Sequence, residues 1–170
     1  PAKVLIAGSK PHPAPLVETA AMASVEAPDP TYSPRLPQDA IERGMPSEVQ
    51  LEAVVYAGQA HSQTLPNGER RGFFIGDGTG VGKGIEIASI ILDNWNQGRK
   101  KAVWISKTPK LVAAAQRDAK DVGMNPTSVF PLAKVKAGDA VTAPEGVLFA
   151  GYATLSQGHQ GVDENGNLLK

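Results

Sequence analysis

Cysteine is absent from this 170-residue chain. That excludes disulfides, thiolate nucleophiles and Cys-based metal sites. Net charge is absent too, because seventeen basic and seventeen acidic residues balance to zero. No global field therefore draws the chain to nucleic acid or to a membrane, and any contact with a polyanion must be local. No apolar run approaches the ~20 residues needed to cross a bilayer, and the N-terminus lacks the charged-then-apolar order of a signal peptide. The expectation is a soluble, cytoplasmic protein with no membrane partner. The chain opens at Pro1 rather than methionine, as expected of a processed or excised piece. His12, His61 and His159 share no metal-ligand spacing, so no metal site built from the chain's own side chains is expected.

Proline, in contrast, is concentrated. Nine of the fourteen prolines lie within the first 46 residues, where they forbid long helices and central strands. Residues 1–45 are expected to form an extended arm, with Ala2–Ala7 able to make a short strand. From Ser47 the pattern turns helical, Leu51, Val54, Val55 and Gly58 marking one face to about His61. Pro66-Asn67-Gly68 turns the chain. Phe73 to Ile75 is apolar without alternation and predicts a strand buried on both faces. Ile85, Ala88, Leu92 and Trp95, widened by Ile87, Ile90 and Ile91, predict a covered helix closed by Gly98. A strand over Lys101 to Ser106 follows. Thr108-Pro109 then opens a helix carrying Leu111, Ala115, Ala119 and Val122 that stops at Gly123. Weaker strands are expected at Thr127 to Leu132 and Gly146 to Tyr152.

Alternating strands and helices with short loops predict an α/β fold with a mostly parallel sheet and right-handed crossovers, over residues 46–157. Residues 158–170 are polar and glycine-rich, and are expected to be a loop or a truncated end. At 170 residues the chain suits one domain and buries about 70% of the surface its unfolded form would expose.

The densest signal is Gly76-Asp77-Gly78-Thr79-Gly80-Val81-Gly82-Lys83-Gly84, set between the apolar run and the helical pattern. Consecutive backbone N–H groups converge on a phosphate only where side chains are missing and positive φ is allowed. A helix starting near Gly82 aims the positive end of its dipole at the same anion, and Lys83 adds a mobile charge for the β- and γ-phosphates. Against G-x-x-x-x-G-K-[ST], Asp77 replaces the first glycine and Gly84 replaces the hydroxyl that ligates Mg²⁺. A dinucleotide fingerprint G-x-G-x-x-G fails, because Lys83 stands where its last glycine would be. The bland alternative is a glycine-rich strand-to-helix turn that binds nothing.

The loop resembles motif I of the strawberry notch family, a branch of superfamily 2 helicases close to the Swi/Snf-type ATPases. The likeness extends to Ser47-Glu48-Val49-Gln50-Leu51-Glu52-Ala53-Val54, to Ala102-Val103-Trp104-Ile105-Ser106-Lys107 and to Val147–Leu155, over roughly residues 11 to 158. It implies the first part of a RecA-like P-loop lobe, a three-layer fold left incomplete here, with ATP and its Mg²⁺ on Gly78, Thr79, Gly80, Val81, Gly82, Lys83 and Gly84. Lys83 would be the catalytic lysine. In this family glycine follows the P-loop lysine, so Gly84 agrees with the resemblance.

Gln50 matches the glutamine that selects adenine in a helicase Q-motif, yet Ser47-Glu48-Val49-Gln50 is equally a capping box. Tyr32 stands where some helicases stack an aromatic on adenine, although in a proline-rich arm an aromatic is more often packing. The resemblance puts Ser106, Lys107 and Lys110 in the motif that grips the phosphates of a tracking DNA strand; the alternative is a capped helix with solvated lysines. Arg99-Lys100-Lys101 lies at the other edge of the sheet and reads as a solvated turn. Asp163-Glu164 sits in a turn-like stretch and does not read as a helicase acidic pair.

Together these imply the ATP-binding portion of a DNA helicase or translocase, inactive without the rest of the enzyme and its second lobe. The family's bacterial relatives add the expectation of a phage or mobile-element setting. The alternative is a non-catalytic nucleotide-binding or scaffolding module. A small GTPase or nucleotide kinase is disfavoured, because no Asn-Lys-x-Asp guanine motif is present.

Overall fold

The computed structural model describes residues 4–17, 26–136 and 138–156. Asp163, Glu164, His159, the polar 158–170 stretch and the start of the Ala2–Ala7 segment lie outside them. Among the described residues the order is α1 (Gln38–Glu42), α2 (Glu48–His61), α3 (Lys83–Asn96), β1 (Lys101–Ser106), α4 (Val112–Asp121), β2 (Val129–Pro131), β3 (Gly146–Gly151) and α5 (Tyr152–Ser156). A 3₁₀ turn, Pro109–Leu111, leads into α4, with Thr108 Oγ1 accepting from the Lys110 N–H as a cap. Gly98 (φ +89°) and Gly123 (φ +95°) follow the ends of α3 and α4 in the left-handed conformation that closes a helix.

The sheet order is β1-β3-β2 and every pair is parallel. Register places Trp104 beside Phe149 and Phe149 beside Pro131, so alternate residues share a face. On that face Trp104, Val147, Phe149 and Val129 meet Ile85, Ala88 and Leu92 of α3 and Ala115 and Ala119 of α4. Trp104 and Phe149 pack tilted, with centroids 5.9 Å apart. Small residues on α4 let it approach α3 closely. The opposite face carries Val103, Leu148 and Phe130 in one row, with Val103 61% exposed. The α/β class and the parallel sheet are as expected. Leu111, expected on the buried face of α4, is instead exposed, because the 3₁₀ turn rotates it off the α-helical stripe.

The strand expected at Phe73–Ile75 does not form. Thr64 and Arg70 make an antiparallel bridge, and the chain then runs unpaired and exposed into the glycine loop, Phe74 being 87% exposed. Apolar composition reports what a strand would bury, but a strand also needs a neighbour for its backbone groups, and among the described residues no strand pairs with this stretch.

The proline-rich arm is bound to the helices. Asp93 of α3, 2% exposed, accepts from the Tyr32 hydroxyl and from the Arg35 N–H, each at 2.6 Å. Gln97 Nε2 donates to the Tyr32 hydroxyl at 2.7 Å and Asn96 Nδ2 to the Arg35 carbonyl at 2.6 Å. The Tyr32 ring lies flush on Gly58 of α2. Burial, then the Asp93 hydrogen bond, raise the Tyr32 pKa above its ordinary value. Tyr32 is therefore a strut between arm, α2 and α3, and its hydroxyl and ring are already committed.

Candidate nucleotide-binding site

The glycine loop is exposed from Gly78 to Gly80 and ends on the first turn of the 14-residue α3. Gly80 (φ +99°) and Gly82 (φ +86°) occupy the left-handed region, where side chains are costly. Gly82 is the N-cap, its carbonyl accepting from the Ile85 N–H at 2.9 Å. Lys83 Nζ curls back over the loop and donates to the Asp77 carbonyl at 2.7 Å and the Gly78 carbonyl at 3.0 Å. The ammonium is thus already centred over the loop, bound by acceptors that a phosphate can replace.

Gln50 supports this loop from beneath. Its Oε1 accepts from the Ser47 N–H at 2.9 Å and the Ser47 hydroxyl at 3.0 Å, completing the capping box of α2. Its Nε2 donates to the Val81 carbonyl at 2.7 Å. A Cβ at Gly82 would collide with that amide nitrogen. Buried and engaged at both ends, Gln50 ties the start of α2 to the loop, and its amide is not presented to a base. We expect Gln50→Ala to lower stability by about 2 kcal/mol in the absence of any nucleotide, through loss of a cap and a buried hydrogen bond. Thermal melts of the unliganded chain check this; a residue used only for adenine would leave them unchanged.

Glu86, one turn into α3, was not singled out by its place in the sequence. It is fully buried, and neither carboxyl oxygen has a hydrogen-bond partner. Burial first, then the neighbouring Asp77 carboxylate, push its pKa up to about 8, against an opposing pull from Lys83. The only sequence signal is a carboxylate inside an otherwise covered apolar stripe.

Gly84 has no hydroxyl, and a Cβ there would collide with Asp118 Oδ2 of α4. Among the described residues no group of three or more His, Asp or Glu could hold a metal by itself. A divalent ion here would therefore depend on phosphate oxygens for most of its shell. Ser106 ends β1 at the carboxyl edge of the sheet, and Lys107 and Lys110 are exposed beside it at the start of α4. Lys100, at the opposite edge, pairs with Glu145 at 3.2 Å and lies 5.6 Å over the Trp95 ring.

Comparison with known proteins agrees with this geometry: residues 11–169 match the P-loop containing NTP hydrolase pore-1 family. The chain belongs to that family. Within it the likeness is to strawberry notch proteins, at 49% identity over 146 residues with human strawberry notch homolog 2, which covers 86% of this chain and 10% of the human protein. The Drosophila melanogaster strawberry notch protein is 44% identical over 160 residues, covering 91% of this chain and 10% of the fly protein. FORGETTER 1 of Arabidopsis thaliana is 43% identical over 150 residues, covering 85% of this chain and 12% of its own length. The chain thus spans about a tenth of the curated relatives it matches. No solved structure matches. These relatives are animal and plant proteins, so the phage or bacterial setting expected above finds no support and is withdrawn. No helix among the described residues is long and apolar enough to cross a membrane.

Proposed function

We propose that this pore-1 family chain is the ATP-binding part of the first RecA-like lobe of a strawberry notch-like DNA helicase or translocase. The observation that carries the reading is Lys83, held over a left-handed glycine loop at the N-terminus of α3 by the loop's own carbonyls. Incoming β- and γ-phosphates replace those carbonyls as acceptors for Nζ. The freed loop and the first turn of α3 add N–H donors and a positive dipole end. Gly78, Thr79, Gly80, Val81, Gly82 and Gly84 offer backbone rather than side chains, so this part of the site recognises triphosphate and not base. Mg²⁺, when bound with the nucleotide, would neutralise phosphate charge. Gln50 contributes by fixing the loop, and Ser106, Lys107 and Lys110 supply a hydroxyl and cations for a DNA backbone at the carboxyl edge of β1. Hydrolysis requires a second lobe and an acidic motif elsewhere in the protein.

Calorimetric titration of the full chain with a slowly hydrolysed ATP analogue tests this reading. Binding is expected, and Lys83→Ala should weaken it by roughly tenfold, the loss of one charge-assisted contact. Binding unchanged by Lys83→Ala would refute the phosphate site. The absence of a hydroxyl at Gly84 favours one second reading, a nucleotide-binding module without turnover. Nucleotide binding with no DNA-stimulated hydrolysis in the full-length protein would select it.

A further inference from the structure

Position 84 carries no side chain, yet the space where one would begin is filled. An ideal Cβ on Gly84 would overlap Asp118 Oδ2, with Asp118 Cγ 2.9 Å away and Oδ1 3.6 Å away. The carboxylate of α4 therefore reaches the spot from which a P-loop serine or threonine would present its hydroxyl, one residue after Lys83. This is possible only because residue 84 is glycine and because Ala115 and Ala119 let α4 lie close on α3.

Asp118 is half-buried, and among the described residues its carboxylate has no hydrogen-bond or ion-pair partner. Burial, then the Asp121 charge, raise its pKa, with Arg117 acting weakly in the opposite direction. An anion placed beside a phosphate site repels nucleotide unless a cation lies between them. Lys83 does not serve, because its Nζ, held by the carbonyls of residues 77 and 78, passes from them to the β- and γ-phosphates and not to Asp118.

We propose that Asp118 supplies the ligand for the nucleotide's divalent cation in place of the hydroxyl missing at Gly84, an exchange of ligand between neighbouring helices. The inference rests on the nucleotide-binding reading above. A carboxylate is a hard oxygen donor suited to Mg²⁺, which takes one or two protein carboxylates and completes its shell with phosphate and water. Glycine after the lysine is then the condition for metal binding by another residue.

Calorimetric titration of the full chain with ATP analogue, in Mg²⁺ and in EDTA, gives two affinities whose ratio is the metal enhancement. Asp118→Asn, isosteric and uncharged, should reduce that enhancement about tenfold while binding in EDTA stays equal or tightens. The metal-free titration of the parent chain tests the nucleotide reading, and the ratio tests Asp118. Mn²⁺ paramagnetic resonance on the same complexes reads the ion's environment directly, and its spectrum should change in Asp118→Asn. Gly84→Ser in an Asp118→Ala background should regain the enhancement that Asp118→Ala alone loses. An unchanged ratio and an unchanged Mn²⁺ spectrum in Asp118→Asn would overturn the proposal. If that variant instead loses binding equally in both conditions, Asp118 merely holds α4 against α3 and the proposal falls as well.

Discussion

Replacing Gly58 with alanine should unfasten the proline-rich arm and lower stability by about 4 kcal/mol, a large share of the roughly 5–15 kcal/mol that holds a domain folded. An added Cβ would sit within 3.0 Å of three carbons of the Tyr32 ring, so the ring has to leave. With it goes the hydroxyl bonded to Asp93 and Gln97, and Asp93 is left 2% exposed with one acceptor site unfilled. Overpacking and a stranded buried carboxylate are separate costs, and they add here because one movement causes both. Tyr32→Ala should cost less, since it removes the ring without forcing α2 from the arm. The double variant should be no worse than Gly58→Ala alone. Chemical denaturation of the four proteins measures the coupling, and strictly additive losses would show that Gly58 and Tyr32 act independently.

This region marks how far the sequence could be read. Proline density points to an extended arm, because the restriction is local to each residue. Where the arm lies was not legible, because Tyr32, Gly58 and Asp93 are distant in sequence and each alone has an ordinary explanation. The helices of Glu48–His61 and Lys83–Asn96 were legible from apolar periodicity and their caps. The Phe73–Ile75 strand was not, since pairing depends on neighbours that periodicity does not report. In the site, glycine spacing identified the loop and the order of Gly82 and Lys83 placed it on a helix. Gln50 was ambiguous because a capping box and a base-reading amide require the same residue, and its distances to Ser47 and Val81 show that the capping box is formed. Glu86 and Asp118 had no motif at all. What marks them is burial without a partner and a collision with an absent Cβ, and both are properties of packing.

Glu86 carries the other large effect, and its sign follows from linkage. Its folded pKa of about 8 stands above the ordinary 4.5, so the folded state retains a proton that the unfolded chain releases. The associated stability is fully present below pH 4.5 and is lost as pH rises towards 8, where folded Glu86 also ionises. By pH 7 the loss amounts to about 3 kcal/mol, at about 1.4 kcal/mol for each pH unit of the interval already crossed. Glu86→Gln keeps the shape, cannot ionise, and offers its amide to the Asp77 carboxylate. The variant should be more stable than the parent at pH 7 to 8, and the advantage should vanish near pH 4.5. Urea denaturation from pH 4 to 9 reads both curves, and a parent whose stability is flat from pH 4.5 to 8 would show that Glu86 is not held protonated. The advantage at neutral pH also bears on the site, because Asp77 supplies one of the two carbonyls that hold Lys83. A proton on Glu86 spares Asp77 a second negative charge beneath the loop. If that relief keeps the loop seated, nucleotide affinity in the parent should weaken above pH 8 while Glu86→Gln holds its affinity, linking the buried carboxyl to the phosphate site through a single residue.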